Sequence, residues 1–326
     1  MIAPVKIVGI GEGLPKQIVT NKMMEQIVET SDEWITQRTG IRQRYILTDD
    51  NVVSISVDAS KKAIEKAGLS AQDIGLIVAS TLASDYRIPS LAGCVQRDLE
   101  ISDCPAFDVS AGCTGFIYAL VTAASLMETL HVDTALVLAG EGVSKNINWS
   151  DRSTCVLFGD GAGAIVLKRD SVGTIHYPIL MGRSDRENTL TIKNKDDHTP
   201  WYQYPQEQNT KLVMKGREVF TFASEVLADT LNRLKEQCGD KPFTKIIPHQ
   251  ANSRIIEYVC RTTGFTHDQF FLNLSQYANT SSASILLALW DAYKQGWLAP
   301  GDRLALIGFG SGLTWGGVVV DWTLES

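Results

Sequence analysis

Short apolar runs alternate with amphipathic stretches along most of the chain. Runs rich in β-branched residues, such as 5–10 and 245–248, predict buried strands, whereas the apolar face that recurs at helical spacing over 51–67 predicts a helix closed by Gly68. Further strands are predicted at 74–79, 135–139 and 164–168, and further helices at 90–99, 116–128 and 220–237. This alternation indicates an α/β protein whose sheets are covered by helices, with an irregular insertion at 183–211.

Two pairs of segments resemble each other about half the chain apart. The strand, small-residue turn and apolar helix at 107–120 recur in the same order at 272–289, and a strand, glycine turn and strand at 157–166 have a counterpart at 307–320. Two halves built on one plan, 1–170 and 171–326, would bring equivalent turns together at a pseudo-twofold interface. Because any two strand–turn–helix units are somewhat alike, these segments alone leave a chance likeness open.

The composition is that of a globular protein with an acidic balance. The chain has 326 residues, 30 Lys+Arg against 37 Asp+Glu and a net charge of −7. This charge disfavours nonspecific binding to nucleic acid or to an anionic membrane. No apolar run reaches the roughly 20 residues that span a bilayer, and the sequence does not open like a secretory signal. We therefore expect a cytoplasmic enzyme or binding protein.

Three glycine clusters, at 9–14, 159–164 and 308–312, invite a nucleotide-binding interpretation. In the first cluster Pro15 follows where the dinucleotide fingerprint requires a helix to open, and the other two clusters are followed by strands. The six cysteines include no C-x-x-C pair and have no histidine nearby at zinc-ligand spacing. Nucleotide, zinc and redox sites are therefore poor interpretations.

Cys113 differs from the other cysteines in its local sequence. It lies in a small-residue turn between a predicted strand and a predicted apolar helix. Backbone N–H groups and the helix dipole at such a position favour a thiolate and can bind an oxyanion, so we predict a thiol pKa below that of an ordinary buried cysteine. A small core cysteine at a tight turn is the alternative interpretation.

Two polar residues follow other predicted strands and complete a candidate site. His249 ends a strand and can act as a hydrogen-bond donor or base, although a lone histidine is more often structural. Asn279 occupies, in the second half, the turn equivalent to that of Cys113, where a simple turn asparagine is the alternative. Together the three residues form a plausible set for thiol catalysis.

The chain as a whole resembles the β-ketoacyl-acyl-carrier-protein synthase III family of thiolase-like condensing enzymes. The resemblance rests on six sets of segments in the same order, 31–35 with 38–42, 111–116, 151–163, 248–252, 279–281 and 308–316. It implies a five-layered αβαβα fold of two similar halves, which agrees with the internal repeat. It also implies a homodimer with a buried site at the end of a pantetheine tunnel.

The resemblance implies a decarboxylating condensation. Cys113 would accept an acyl group from acyl-CoA, and an enolate formed from malonyl-acyl-carrier protein would then attack it, while His249 and Asn279 stabilise the enolate charge. The backbone N–H groups of Cys113 and Ser311 would form the oxyanion hole. No metal or redox cofactor is expected, because the departing CO₂ supplies the carbanion and the CoA thioester is a substrate.

The resemblance also assigns substrate contacts. Trp34 and Arg152 would sandwich the CoA adenine, and Arg38 would meet a CoA phosphate. The remaining assignments are Arg217 near the pantetheine, Phe220 and Ile88 in the acyl pocket, and Arg254 and Arg261 at the carrier-protein docking face. Isolated arginines and tryptophans are more often solvated or structural, so each contact is an expectation only.

Four positions depart from the commonest family pattern. Ser311 replaces a frequent glycine, and Ala278 replaces the glycine before Asn279. Arg217 stands where an asparagine is familiar, and Ile88 stands where a bulky aromatic residue often closes the acyl pocket. The last two leave the substrate open.

The neighbouring Arg87 could bind an acyl chain that ends in a carboxylate, although a solvent-facing side chain is the preferred interpretation.

Several functions remain compatible with these residues. The favoured one starts fatty-acid chains from a short acyl-CoA. A close alternative keeps the chemistry but primes another product, such as a biotin precursor, a quinolone or a polyketide, from an unusual acyl-CoA. Hydrolysis of acyl-CoA and a noncatalytic partner subunit are less favoured, because Cys113, His249 and Asn279 are all present.

Overall fold

A computed structural model describes residues 2–193, 200–201 and 209–325. Strands and helices alternate through the first half of the chain. Its strands are β1 Val5–Gly13, β2 Gln17–Thr20, β3 Gln43–Ile46, β4 Ile77–Ser80, β5 Ala106–Val109, β6 Thr134–Glu141 and β7 Gly161–Arg169. Its helices are α1 Asn21–Met24, α2 Asp32–Thr39, α3 Val52–Lys66, α4 Leu91–Asp98, α5 Gly115–Leu130 and α6 Arg152–Cys155.

The second half repeats this alternation with fewer strands in the described residues. Its strands are β8 Ile175–Gly182, β9 Leu190–Thr191, β10 Val213–Met214, β11 Lys245–Pro248, β12 Arg303–Gly310 and β13 Thr314–Asp321. Its helices are α7 Gly216–Cys238, α8 Ser253–Thr263, α9 Leu274–Tyr277 and α10 Ser284–Lys294.

The two central sheets share one strand order. The first has the order β1-β7-β6-β4-β5, and the second has the order β8-β13-β12-β11 with the same sequence of parallel and antiparallel pairs. The position equivalent to β5 is reduced to a parallel bridge between Ile246 and Phe270. The internal repeat is therefore visible in the topology. The predicted boundary after residue 170 falls in the connection between β7 and β8, and the division into separate domains stays a prediction.

The elements stack in five layers. Helices α3 and α4 cover the outer face of the first sheet, α5 and α10 lie between the two sheets, and α7 and α8 cover the outer face of the second sheet. Strand β6 is buried along its whole length, because Ala135 and Val137 face the central layer while Leu136 faces α3. The predicted αβαβα fold is confirmed, and it is this stacking that joins the turns of the two halves.

The glycine clusters serve close packing of helices. A Cβ atom on Gly11 would lie 2.3 Å from the backbone oxygen of Ala59, and one on Gly13 would lie 1.8 Å from that of Ile55. Helix α3 therefore contacts the backbone of β1 directly. In the same way, a Cβ atom on Gly163 would lie 2.4 Å from Cβ of Leu286 on α10.

The central helix is more apolar than the sequence analysis suggested. The segment Gly112–Leu130 is long and apolar enough, by length and composition, to cross a bilayer. In this structure it packs in the central layer, where Phe116 and Leu120 are fully buried. The core helix of a globular protein passes the same test, so the segment gives only weak support for a membrane span.

Several predicted boundaries shift in the structure. Helix α7 begins four residues before the predicted start at 220, and the strand predicted at 74–79 is observed at Ile77–Ser80. The first part of the strand–turn–strand predicted at 157–166 is not a strand, because only Phe158 forms an isolated bridge. The predicted insertion at 183–211 contains β9, which pairs with β10, and it includes residues outside the described ranges.

Candidate active site

Cys113 lies in the turn between β5 and α5, against a turn from the second half. Gly112 has a φ of +59°, and a Cβ atom there would lie 2.7 Å from the backbone nitrogen of Ser311. A Cβ atom on Gly310 would lie 2.3 Å from the backbone nitrogen of Cys113. Glycine at both positions therefore lets the two turns touch. The structure brings together the two backbone N–H groups that the sequence assigned to an oxyanion hole.

Threonine hydroxyls hold these turns together. The Oγ1 atom of Thr314 lies 2.8 Å from the carbonyl oxygen of Ala111 and 3.0 Å from that of Ser311. The Thr114 hydroxyl lies 3.1 Å from that of Thr314. The contacts of Thr314 with Ala111 and Thr114 cross from one half to the other, so they fix the position of Cys113 relative to the second sheet.

The thiol of Cys113 is strongly desolvated. The residue is 6% exposed, and burial raises the pKa of its thiol to about 12, with a further rise from the negative charge of Glu141. The hydroxyl of Ser281 donates a hydrogen bond to Sγ (3.4 Å) and opposes that rise in pKa. The prediction of a lowered pKa is therefore wrong for this structure, because burial outweighs the helix N-terminus.

His249 follows β11 and is held in the neutral form. Burial lowers the pKa of its imidazole to about 3, and the ring packs edge-on against Phe309 at 5.1 Å. Its Nδ1 lies 2.7 Å from Oγ of Ser284, which also accepts a hydrogen bond from the backbone N–H of Gln250. When the hydroxyl hydrogen of Ser284 points to Nδ1, the ring proton of His249 lies on Nε2. This tautomer leaves His249 with a donor on the side away from Ser284.

Asn279 lies between α9 and α10 with its amide oriented by the backbone. Its Oδ1 accepts a hydrogen bond from the N–H of Ser281 (2.9 Å), so its Nδ2 is left as a donor. Ala278, which directly precedes Asn279, has a φ of +58°, and Ser281 has a φ of +51°. Both values lie in the left-handed region that favours glycine. The replacement of the usual glycine by Ala278 therefore strains the backbone of this turn. Asn279 nevertheless lines the cavity next to Cys113.

Two cavities meet at Cys113. The smaller, of 90 Å³, is lined by Cys113, His249 and Asn279 together with Phe220 and Phe309. The larger, of 670 Å³, is lined by Cys113 together with Ser281, Ser311 and the loop after β4. The sulfur can therefore be reached from one cavity while a group attached to it occupies the other.

The residues assigned to coenzyme A, Trp34, Arg38 and Arg152, lie together, and the two arginines cover the tryptophan ring. The guanidinium of Arg152 lies 4.7 Å from the ring centre of Trp34, and that of Arg38 lies 5.6 Å from it. Arg152 also donates a hydrogen bond to the carbonyl oxygen of Glu29 (2.9 Å). A distance of 4.7 Å is that of a direct cation–π pair, so a base could enter between Trp34 and Arg152 only after the arginine moves.

Three assigned residues do not line the larger cavity. Phe220 lines the smaller cavity with His249. Arg217 instead lines a separate cavity of 380 Å³ with Arg183 and Glu218, and its contact with pantetheine stays a prediction. Ile88 is 88% exposed and lines neither cavity within its own chain.

Two further groups of assigned residues lie at the surface. Arg254 and Arg261 are exposed and lie seven residues apart on α8, on one face of the helix. Asn252 at the start of α8 donates a hydrogen bond to the carbonyl oxygen of Arg38, so this helix adjoins α2. Arg87 is exposed but also lines the larger cavity, so it does not face solvent alone.

Three residues around the catalytic set were not predicted from the sequence. Ser281 hydrogen-bonds to Asn279, and Ser284 hydrogen-bonds to His249. Glu141 lies buried at the end of β6 near Cys113. The cluster of serines after Asn279 is the signal that could have pointed to the first two. Glu141 gives no such signal, because an acidic residue at the end of a strand is usually solvated.

Comparison with known proteins decides the family. Models of the 3-oxoacyl-[acyl-carrier-protein] synthase III domain and of its C-terminal domain match residues 107–180 and 235–322. The β-ketoacyl-[acyl-carrier-protein] synthase III of Clostridium beijerinckii is 41% identical over 98% of this chain and 99% of its own. This chain belongs to the β-ketoacyl-acyl-carrier-protein synthase III family.

Solved structures of synthase III proteins have the same fold. The 3-oxoacyl-[acyl-carrier-protein] synthase III of Aquifex aeolicus is 38% identical with a TM-score of 0.90, and it covers 98% of this chain and 100% of its own. The priming β-ketosynthase of the R1128 polyketide pathway is 31% identical with a TM-score of 0.91, and it covers 99% and 97%. The same fold thus occurs in a synthase III protein and in a priming ketosynthase of a polyketide pathway.

Proposed function

We propose that this protein is an acyltransferase that condenses an acyl-CoA primer with malonyl-acyl-carrier protein, loses CO₂ and starts fatty-acid synthesis. The observation that carries the proposal is the convergence of Cys113, His249 and Asn279 on one cavity that continues past the sulfur into a second. Membership of the synthase III family supports the same reaction.

In the first half-reaction Cys113 Sγ attacks the thioester carbonyl, and CoA leaves as a thiolate. The N–H groups of Cys113 and Ser311 are suited to bind the oxyanion, because the two turns are in contact and both residues line the larger cavity. The acyl group then extends into that cavity. No cofactor is required for this step.

In the second half-reaction the malonyl thioester loses CO₂ and its enolate attacks the acyl group on Cys113. His249 with Nε2–H and Asn279 with Nδ2 are two neutral donors in the smaller cavity. Both are suited to the thioester oxygen, where negative charge develops during decarboxylation. Loss of CO₂ leaves the electron pair of the broken C–C bond on the thioester as a carbanion. No metal or redox cofactor is therefore proposed.

Coenzyme A binding is proposed at the Trp34 cluster, at the surface beside α8. Arg152 provides the second face of the adenine site opposite Trp34, and Arg38 provides positive charge for a CoA phosphate. Arg254 and Arg261 on the exposed face of α8 provide a local basic patch for an acidic carrier protein, against a net charge of −7. Arg217 is not part of this proposal, because it lines another cavity.

Replacement of Trp34 by Ala is expected to raise the KM for acyl-CoA about tenfold or more, because stacking on a base contributes about 1–3 kcal/mol. The KM for the same acyl group on pantetheine, which lacks adenine, should stay unchanged. Trp201→Ala is the matched control, since Trp201 is 92% exposed and lines none of the three cavities. An equal loss with both substrates would contradict adenine stacking at Trp34.

A homodimer is proposed, in which Ile88 of one subunit closes the acyl cavity of its partner. Within one chain Ile88 projects from a loop whose Tyr86 and Arg87 line the larger cavity. An apolar side chain that is 88% exposed is a natural contact for a second copy. The cytoplasmic location stays an expectation.

Replacement of Ile88 by Phe is expected to shift acyl selection toward acetyl. A larger ring fills the floor of the cavity, and each CH₂ of substrate no longer buried costs about 0.8 kcal/mol. Competition between acetyl-, hexanoyl- and glutaryl-CoA measures the shift, with Val172→Phe as the control because Val172 is also exposed (70%). Strong acetyl preference in the parent, unchanged by Ile88→Phe, would refute the enlarged cavity. If the parent loads glutaryl in preference to the other groups and Arg87→Ala loses this preference, Arg87 binds the terminal carboxylate of the glutaryl group.

Mass spectrometry of the products tests the function. With a panel of acyl-CoA thioesters and malonyl-acyl-carrier protein, we expect a β-ketoacyl-carrier protein and CO₂. Free carboxylic acid as the main product would instead indicate a thioesterase. Condensation only with an unusual acyl-CoA would favour a priming role in another pathway, as in the R1128 polyketide relative.

A further inference from the structure

A buried aspartate binds both ends of the short helix that precedes Asn279. Asp291 lies on α10 and is 9% exposed. Its Oδ2 accepts a hydrogen bond from Nδ2 of Asn273 (3.0 Å), and its Oδ1 accepts one from the hydroxyl of Tyr277 (3.1 Å). Asn273 directly precedes α9, and Tyr277 is the last residue of that helix. One carboxyl group therefore spans α9 from end to end.

The turn after α9 is fixed on its other side by the first half of the chain. The backbone N–H of Asn279 donates a hydrogen bond to the carbonyl oxygen of Leu157 (2.9 Å), and its carbonyl oxygen accepts one from the N–H of Gly159 (3.0 Å). Ala278 lies between these two anchored segments with a φ of +58° and a ψ of −157°. Glycine adopts this region without strain, whereas alanine does not. If either anchor were removed, the strained backbone would relax and Asn279 would move with it.

The electrostatics around Asp291 suit an acceptor for two neutral donors. Burial raises the pKa of Asp291, and the hydrogen bonds from Asn273 and Tyr277 oppose that rise. Burial and the neighbouring carboxyl group raise the pKa of Tyr277, so its hydroxyl keeps the proton that it donates. The ring of Tyr277 is also stacked on that of Tyr45, with 5.6 Å between the ring centres. The end of α9 is therefore held at the tyrosine by packing on one side and by the carboxyl group on the other.

We propose that Asp291 is a positioning residue that holds the strained turn at Ala278 and thereby keeps the Nδ2 donor of Asn279 in place for the malonyl thioester oxygen. The inference rests on the proposed function. Asp291 acts through Asn279, and it lines none of the three cavities. Its effect should therefore be confined to decarboxylation, because acyl loading uses Cys113 and the oxyanion hole.

The test measures decarboxylation of malonyl-acyl-carrier protein and acyl loading of Cys113 on the same folded protein. Asp291→Ala should lower the rate of decarboxylation by about 10- to 10²-fold, since a displacement of about 1 Å in a catalytic group can cost about 10²-fold. Tyr277→Phe removes one hydroxyl and should lower the rate about fivefold, the factor that corresponds to one neutral hydrogen bond. Acyl loading should stay at the parental rate in both variants.

Two double variants separate positioning from general destabilisation. Ala278→Gly added to Asp291→Ala should restore most of the lost rate, because glycine keeps the conformation of the turn without the carboxyl group. In an Asn279→Ala background, Asp291→Ala should cause no further loss of decarboxylation, because the group that it positions is already absent. A loss of rate that Ala278→Gly does not restore, or that adds to the loss in Asn279→Ala, would overturn the inference.

Tyr293→Phe is the matched control for Tyr277→Phe. Tyr293 is also a buried tyrosine, and its hydroxyl donates a hydrogen bond to the carbonyl oxygen of Glu325 (2.9 Å) rather than to Asp291. This variant should decarboxylate at the parental rate. A parental rate in folded Asp291→Ala would overturn the inference, and Tyr277→Phe decides it if Asp291→Ala does not fold. A parent that loads no acyl group and does not decarboxylate the malonyl thioester would overturn the proposed function instead.

Discussion

His249→Ala and Asn279→Ala are each expected to lower decarboxylation of the malonyl thioester by about 10²–10³-fold and to leave acyl loading of Cys113 largely intact. Both side chains face the same small cavity and offer neutral donors, His249 with a pKa near 3 and Asn279 with Oδ1 occupied by Ser281. Enolate charge develops only in the second half-reaction, so the loss should be confined to that step.

The two steps can be measured separately on the same protein. Intact mass after incubation with acyl-CoA reports loading, and release of CO₂ from malonyl-acyl-carrier protein reports decarboxylation. His176→Ala serves as the control, because His176 pairs with Asp321 in the β8–β13 region and lines none of the three cavities. If either active-site variant decarboxylates at the parental rate, its role as an enolate donor is wrong.

Cys113→Ala is expected to abolish acyl loading, with condensation reduced at least about 10³-fold. No other described cysteine combines a strand-to-helix turn with contact to both cavities. Decarboxylation of the malonyl thioester should persist in this variant, because His249 and Asn279 do not need the sulfur to stabilise an enolate. Cys113→Ala should therefore lose loading and keep decarboxylation, whereas the His249 and Asn279 variants should keep loading and lose decarboxylation.

Cys155→Ala is the control for this variant, since Cys155 is also buried but lines none of the three cavities. It should load and condense at the parental rate. Acyl label that persists in Cys113→Ala, or disappears in Cys155→Ala, would move the nucleophile to another residue.

The elements that local chemistry specifies were predictable from the sequence. Helix α3 begins where expected because Asn51 and Ser54 form a capping box, with the Ser54 N–H bonded to Asn51 Oδ1 (2.8 Å). Cys113 was recognisable because glycine permits the sharp turn before an apolar helix. The short strands β2 and β3 were missed, since both have half-exposed residues and no apolar run.

What depends on packing between distant segments was not predictable. The position of Cys113 before a helix suggested a thiol pKa below that of an ordinary buried cysteine, but the stacking of two sheets buries the sulfur and raises that pKa to about 12. Helix α7 shows the same limit, because it starts one turn earlier than the apolar periodicity indicated. Glu141 reaches Ser282 only because the two halves meet.

The central claim is that one sulfur carries the acyl group from coenzyme A to the condensation step. Sequential addition tests it: the protein is incubated with acyl-CoA, freed of excess reagent, mapped by peptide mass spectrometry and then given malonyl-acyl-carrier protein. We expect the acyl group on the peptide containing Cys113, and its loss in step with an equal amount of β-ketoacyl-carrier protein. An acyl group on another cysteine, or its release as free acid without a ketoacyl product, would contradict the account.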